Sequence, residues 1–276
     1  MSIRMTLGVS LSAAVFVALS ASGCASHRTR ATGGSAPTGT TKTADSAAHG
    51  RTTTQTDNSG NMPETKQDDV DRLAAATATF NEIMTVPDKG IPKDLLDRAQ
   101  CVVVVPGLKK GAFIVGAQYG KGYFSCRRTS GVDWTAPASV RVEGGSFGFQ
   151  IGGSETDVVM LVMNPTGENH LLSSQFTLGG DASVAAGPVG RTASANTDAY
   201  MKAEILSWSR SRGVFAGIAL QGATLREDMD DNQALYGRRL TNRDIIEGKV
   251  STPPAAQQFI GVLNQYSPRR TGNGSV

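Results

Sequence analysis

Cysteine and histidine are scarce here, three of each in 276 residues, and aromatic side chains make up only 6%. Three cysteines cannot build a disulfide-dense mini-scaffold or a zinc site made of cysteine alone. His27 and His49 lie in a polar N-terminal stretch, which leaves His170 as the one histidine of the later chain. No metal site and no cofactor are expected. Long apolar runs are missing too: apart from Thr6 to Ala18 nothing approaches the length of a spanning helix. Charge of one sign is also lacking. Lys and Arg number 27 against 24 Asp and Glu, a net +3 that argues against a nucleic-acid partner. There is no G-x-x-x-x-G-K-[ST] run, and no G-x-G-x-x-G between a strand and a helix, so a phosphate-cradling nucleotide loop is excluded.

What is abundant is small residues, 32 of them glycine. At the N-terminus Arg4 supplies a positive region and Thr6 to Ala18 an apolar core of signal-peptide length. Ser20-Ala21-Ser22-Gly23-Cys24 then resembles the lipobox of bacterial lipoproteins, with Ala21 where leucine is usual. The resemblance implies a signal peptide over 1–23 and covalent acyl chains on Cys24. Two or more chains make a stable anchor where one does not. Residues 25–69 contain no Leu, Ile, Val, Phe, Tyr or Trp and eleven Thr. With nothing to bury, the segment 24–69 is expected to be a disordered tether with a reach of roughly 35–40 Å. Ala25 after the acceptor cysteine resembles lipoproteins sent to the outer membrane. The expected location is therefore a bacterial cell envelope, lipid-anchored and facing the periplasm.

From residue 70 to 276 the pattern is that of one globular domain. Val70, Leu73, Thr77, Phe80 and Met84 recur at spacings of three and four, which predicts an amphipathic helix ending before Pro87. Pro92 opens a short second helix to about Ala99. The period then becomes that of strands: Cys101–Val105, stopped by Pro106-Gly107, then 112–116, 122–126, 138–142, 146–151 and 157–163. The last is apolar on both faces and should lie deep inside. Asn164-Pro165 with Glu168 predicts a capped helix to about Ser174. Strands follow near 182–186, 201–209 and 214–222, then helices at 227–236, 242–247 and 254–266. The expected class is α+β, with a strongly curved or barrel-like, mostly antiparallel sheet and helices at both ends of the domain.

Several motifs fail on inspection. Gly144-Gly145-Ser146-Phe147-Gly148 matches the nucleophile elbow in letters, but alternating Phe147, Phe149 and Ile151 predict a strand where the elbow needs a helix. No catalytic residue is assigned. Asp228, Asp230 and Asn232 start like a calcium loop, which fails at Gln233 and Arg239. Cys101 and Cys126 could form a disulfide. In a simple three-strand meander, however, they would lie about 9–10 Å apart, beyond the roughly 7 Å a bridge spans, unless the sheet interleaves or curls. Basic residues at strand ends, Lys109, Lys110, Lys121, Arg127, Arg128, Arg210 and Arg212, with Trp134 beside them, are the candidates for contact with anionic headgroups.

A family resemblance enters with GGSFGFQIG at 144–152, TDVVMLVMN at 156–164, FTLGGDASVAAGPVGR at 176–191 and AEILSWSRSRGVFAGIALQG at 203–222. With Ala234-Leu235-Tyr236-Gly237 and the Ile91-Pro92 start, these blocks resemble the SYLF family over about residues 70–265. The resemblance implies a lipid-binding domain without enzymatic activity. Eukaryotic members bind phosphoinositides, some fungal ones bind and bundle actin, and bacterial ones are often secreted or lipoproteins. The basic amphipathic helix that serves some eukaryotic members is not matched: the helix near 70–84 carries Asp71, Arg72 and Glu82 but no lysine. The expected partner is an anionic phospholipid membrane. The alternative is a structural or interaction lipoprotein presenting a surface to a protein that the sequence does not identify.

Overall fold

The structure, a computed structural model, describes residues 64–86, 90–112, 115–147, 152–188, 202–211, 214–217 and 220–268. The expected signal peptide, Cys24, most of the expected tether and Arg212 lie outside these residues. Helix α1 (Glu64–Thr85) begins inside the segment read as tether, its first turns rich in acid, which the helix dipole favours. Helix α2 (Lys93–Arg98) follows Pro92.

Two long strands come next, β1 (Cys101–Ala112) and β2 (Val115–Cys126), paired antiparallel along their length. Pro106-Gly107 does not stop β1. The register shifts there, and Gly107 takes φ +60° to form a bulge that the strand runs through. Likewise the expected separate strands at 112–116 and 122–126 are parts of β1 and β2. Strands β3 (Ala138–Phe147) and β4 (Gly152–Val162) are single long strands too, then helix α3 (Pro165–Leu171) is capped by Asn164 as expected. Short strands β5 (Gln175–Thr177), β6 (Val184–Ala186), β7 (Ile205–Ser211), β8 (Val214–Gly217) and β9 (Thr224–Glu227) complete the sheet. Helices α4 (Met229–Tyr236) and α5 (Asn242–Glu247), a 3-10 turn and α6 (Gln257–Tyr266) close the chain.

The strand order is β5-β9-β3-β2-β1-β4-β7-β6, with β8 on β7, and every pairing except β6 with β7 is antiparallel. The sheet curls into a half-barrel with helices packed against it, the α+β arrangement expected. Both faces are buried. Val103, Val105, Met160 and Val162 face one cluster with Phe176, Leu225 and Ile245. Their alternates Val102, Val104, Val159 and Leu161 face a second with Leu73, Phe80 and Ile83 of α1 and Phe259 and Leu263 of α6. This two-sided burial explains the unbroken apolar runs of β1 and β4. Gly122 is required where strands close up: a Cβ there would lie 2.1 Å from the Val104 carbonyl oxygen. No helix among the described residues is long and apolar enough to cross a membrane.

Candidate functional site

At the Cys101 end of the sheet, chemistry has been converted into structure. Cys101 and Cys126 are directly opposed across β1 and β2, with Cα atoms 3.9 Å apart, and form a disulfide. The expected meander placed a strand between them; the long hairpin removes it, and with it the geometric objection. Glu168 lies beside the two sulfurs, yet bonded sulfurs offer no thiolate to a metal ion. Arg127 and Trp134 are not headgroup contacts. Both are buried, and the guanidinium stacks 3.7 Å over the indole. Arg127 Nη1 donates to the Ser267 carbonyl at 2.5 Å and its Nη2 donates to Ser267 Oγ. Trp134 Nε1 donates to the same carbonyl at 3.0 Å. A cation with these partners fastens the C-terminal segment to the sheet and is buried away from the surface a headgroup would reach.

Lys121 and Arg210 are also engaged. Lys121 Nζ lies 2.7 Å from Asp231 and 3.0 Å from Asp228, and Asp231 also receives Arg72 of α1 at 2.7 Å. These carboxylates hold the Lys121 ammonium above its ordinary value despite the opposing effect of burial. Arg72 reaches Asp69 at 2.7 Å, and Tyr123 donates its hydroxyl to the same carboxylate. Asp69 Oδ2 is buried without a partner. Burial, and then Asp231, push the Asp69 carboxyl up to about 6. Arg210 chelates Asp157 at 2.7 and 3.1 Å and pairs with Glu82 of α1. The chain Asp69–Arg72–Asp231–Lys121–Asp228 thus ties α1 to α4 and β2.

The remaining candidates behave differently. Lys109, exposed, and Lys110, half-buried, make no ion pair among the described residues. Burial holds the Lys110 ammonium below its ordinary value. Both line a hollow of about 680 Å³ with Ser154, Glu155 and Ser211. On the α1 side Lys109 also faces a groove of about 600 Å³ with Tyr119, Gly107 and Glu155. Arg128 is exposed and lines a separate hollow near α5. The serines and Glu155 were invisible to a search for basic pairs, because only cross-strand register brings them beside Lys109 and Lys110.

The discarded motifs are placed by the same topology. Ser146 lies within β3, opposite Gly116, and the strand continues to Phe147. His170 follows the far end of β4 and lies 3.9 Å from Glu204. Strands this long put roughly 30 Å between Ser146 and His170, so no dyad forms. Asp228 caps α4 by accepting from the Asp231 amide. Asn232 accepts from the Ser139 amide at 2.8 Å and donates to Asn242 Oδ1 at 2.9 Å, holding elements together where a calcium loop would leave its oxygens open.

A family profile described as "Ysc84: Las17-binding protein actin regulator" matches residues 143–266, from the end of β3 through α6. This is a SYLF-family domain. The chain is 31% identical over 216 residues to the SH3 domain-containing YSC84-like protein 1 of Rattus norvegicus, covering 77% of this chain and 63% of that protein. It is 31% identical over 226 residues to LAS seventeen-binding protein 3 of Saccharomyces cerevisiae, covering 78% and 48%. An SH3 domain-containing protein of Schizosaccharomyces pombe is 36% identical over 191 residues, 67% of this chain and 44% of its own. The SYLF chain thus spans about half to two-thirds of the length of these relatives. The family description is that of a binding protein and regulator.

Proposed function

We propose that this SYLF protein is a non-enzymatic phospholipid-binding module, acyl-anchored through Cys24 in a bacterial envelope, and that it receives a headgroup phosphate at Lys109 and Lys110. One observation carries the reading. Among the described basic candidates Lys109, Lys110 and Arg128 make no ion pair, and of these the two adjacent lysines share one hollow, with Ser154 and Ser211 in its lining. Two ammonium groups and the Ser154 hydroxyl suit a phosphate, the Ser211 hydroxyl already donating to the Glu155 carbonyl at 3.4 Å. The disulfide supports an oxidising compartment, where such bonds persist.

The test is vesicle flotation of the mature chain, residues 24–276 with Cys24→Ala so that no acyl chain contributes. Vesicles containing phosphatidylglycerol should bring it to the top at low salt and release it at high salt. A lysine near an anionic surface is worth about 1 kcal/mol, so Lys109→Ala with Lys110→Ala should weaken partitioning roughly 30-fold. A second reading is favoured by the names of the family and the yeast relative, which describe protein binding. In that reading the domain presents a surface to a protein partner, and indifference to every vesicle would select it.

A further inference from the structure

Across three adjacent strands, Tyr119 of β2, Lys109 of β1 and Glu155 of β4 stand in register on one row. All three are exposed and line the same groove, Tyr119 being the most exposed large hydrophobic side chain described, at 47%. Elsewhere on this side of the sheet, opposite charges are joined: Lys121 to Asp228 and Asp231, Arg210 to Asp157, Arg141 to Glu143. Lys109 and Glu155 are neighbours across the strand gap and yet make no ion pair. The bulge accounts for this. Glu155 Oε1 lies 2.6 Å from where a Cβ on Gly107 would be, so the carboxylate folds over the bare glycine.

A site built for anions alone gains nothing from an uncommitted carboxylate beside its lysine, since the carboxylate repels the ligand. The combination makes sense if the ligand carries both signs. We infer that the row Tyr119–Lys109–Glu155 reads a glycerophosphoethanolamine headgroup. This rests on the headgroup reading above and adds specificity to it. The phosphate lies on Lys109, the primary ammonium two carbons away donates to Glu155, and the glycerol lies on the Tyr119 ring. The ligand's order of apolar, anionic and cationic parts follows the order of the strands, which lie about 4.8 Å apart. A primary ammonium has three protons to give a carboxylate, whereas a quaternary choline gives none and is held by an aromatic cage. A single tyrosine is no cage, so the row favours ethanolamine over choline.

The test holds phosphatidylglycerol constant in vesicles whose remaining lipid is either phosphatidylcholine or phosphatidylethanolamine. The mature chain with Cys24→Ala should bind the ethanolamine vesicles roughly tenfold more tightly, the worth of one hydrogen bond to a charged group. Glu155→Gln should erase that preference, weakening binding to the ethanolamine vesicles, which lose the carboxylate's hydrogen bond, and tightening binding to the choline vesicles, for which only a repulsive charge has gone. Lys109→Ala should weaken binding to both. Soluble glycerophosphoethanolamine, titrated without vesicles, shows whether the same moiety is taken when free; saturable binding there with none to vesicles would keep this inference and remove the membrane reading. Equal binding to the two vesicle types, or a preference that survives Glu155→Gln, would overturn the inference and leave the phosphate reading standing. Binding to neither vesicles nor the soluble headgroup would end both.

Discussion

Asp69 is a carboxyl group placed where ionisation is unfavourable. It is buried on the inward side of α1, one of its oxygens has no partner, and the groups facing it are Arg72, Asp231 and the Tyr123 hydroxyl. Burial and the second carboxylate win over the arginine and the tyrosine, and the proton is held up to about 6. An unfolded aspartate lets go of its proton near 4. A group that binds its proton more tightly when folded stabilises the fold in full below the unfolded value, and that contribution is lost as pH rises through the folded one. Stability contributed by Asp69 should therefore fall between about pH 4 and pH 6. Asp69→Asn cannot titrate, so the difference in Tm between parent and variant should shift in the parent's disfavour across this window and level off above it. Parallel Tm curves would show that Asp69 is ionised throughout. No pattern in the sequence marks this residue: Asp68, Asp69 and Asp71 read alike there, and only the fold turns one of them inward.

The elements show which parts of the fold a sequence can reveal. The unbroken apolar run at 157–163 located the later half of β4 and the capping signal at Asn164-Pro165 located α3, because both depend on neighbours in the chain. The merging of three expected strands, 101–105, 112–116 and 122–126, into the two long strands β1 and β2 was not legible. Pro106-Gly107 looks like a stop unless a partner strand can absorb the extra residues, which β2 and β4 do by shifting register. The error propagated to the site. Splitting the hairpin put Cys101 and Cys126 out of reach and hid the row of Tyr119, Lys109 and Glu155, which exists only because β1 continues past the bulge. Charge alone singled out Lys109 and Lys110, which the proposed reading retains, while Arg127 and Trp134 are buried against each other, because a basic residue and an aromatic one give the same letters whether they meet a membrane or each other. The disulfide closes the hairpin across 25 positions, which on the chain-entropy view stabilises by roughly 3–4 kcal/mol. Reduction, or Cys101→Ala with Cys126→Ala, should accordingly lower the Tm of the SYLF domain by roughly 6–16 °C, read by circular dichroism with and without reductant. Since the bond lies at the opposite end of β1 from Lys109 and Lys110, vesicle partitioning measured well below the transition should be unchanged. A loss of binding with the fold intact would mean that the headgroup site extends to the disulfide end.

At the scale of the whole molecule the question is how so small an uncommitted charge could hold a protein on a membrane. Two lysines at about 1 kcal/mol each give a contact that physiological salt largely cancels. The chain as a whole carries only +3, so no diffuse attraction makes up the difference. In the proposed reading the segment 24–69, whose residues 25–69 lack Leu, Ile, Val and any aromatic residue, serves, as far as α1, as the tether expected from its composition. Such a leash makes headgroup binding intramolecular, and an effective concentration in the millimolar range makes a weak site useful. In the proposed reading the two parts have separable roles, the acyl chains keeping the protein at the bilayer and the folded domain choosing which headgroup it touches. Cys24→Ala separates them. In membrane fractions washed with rising salt, the parent chain should stay in the pellet at every concentration, because hydrocarbon burial is indifferent to screening. The variant should leave in the first high-salt washes. The parent with Lys109→Ala and Lys110→Ala should remain pelleted as firmly as the unsubstituted chain, since its anchor is intact. A Cys24→Ala chain that resists high salt would show that the folded domain holds the membrane by apolar contact, and would displace the two lysines from the centre of the mechanism.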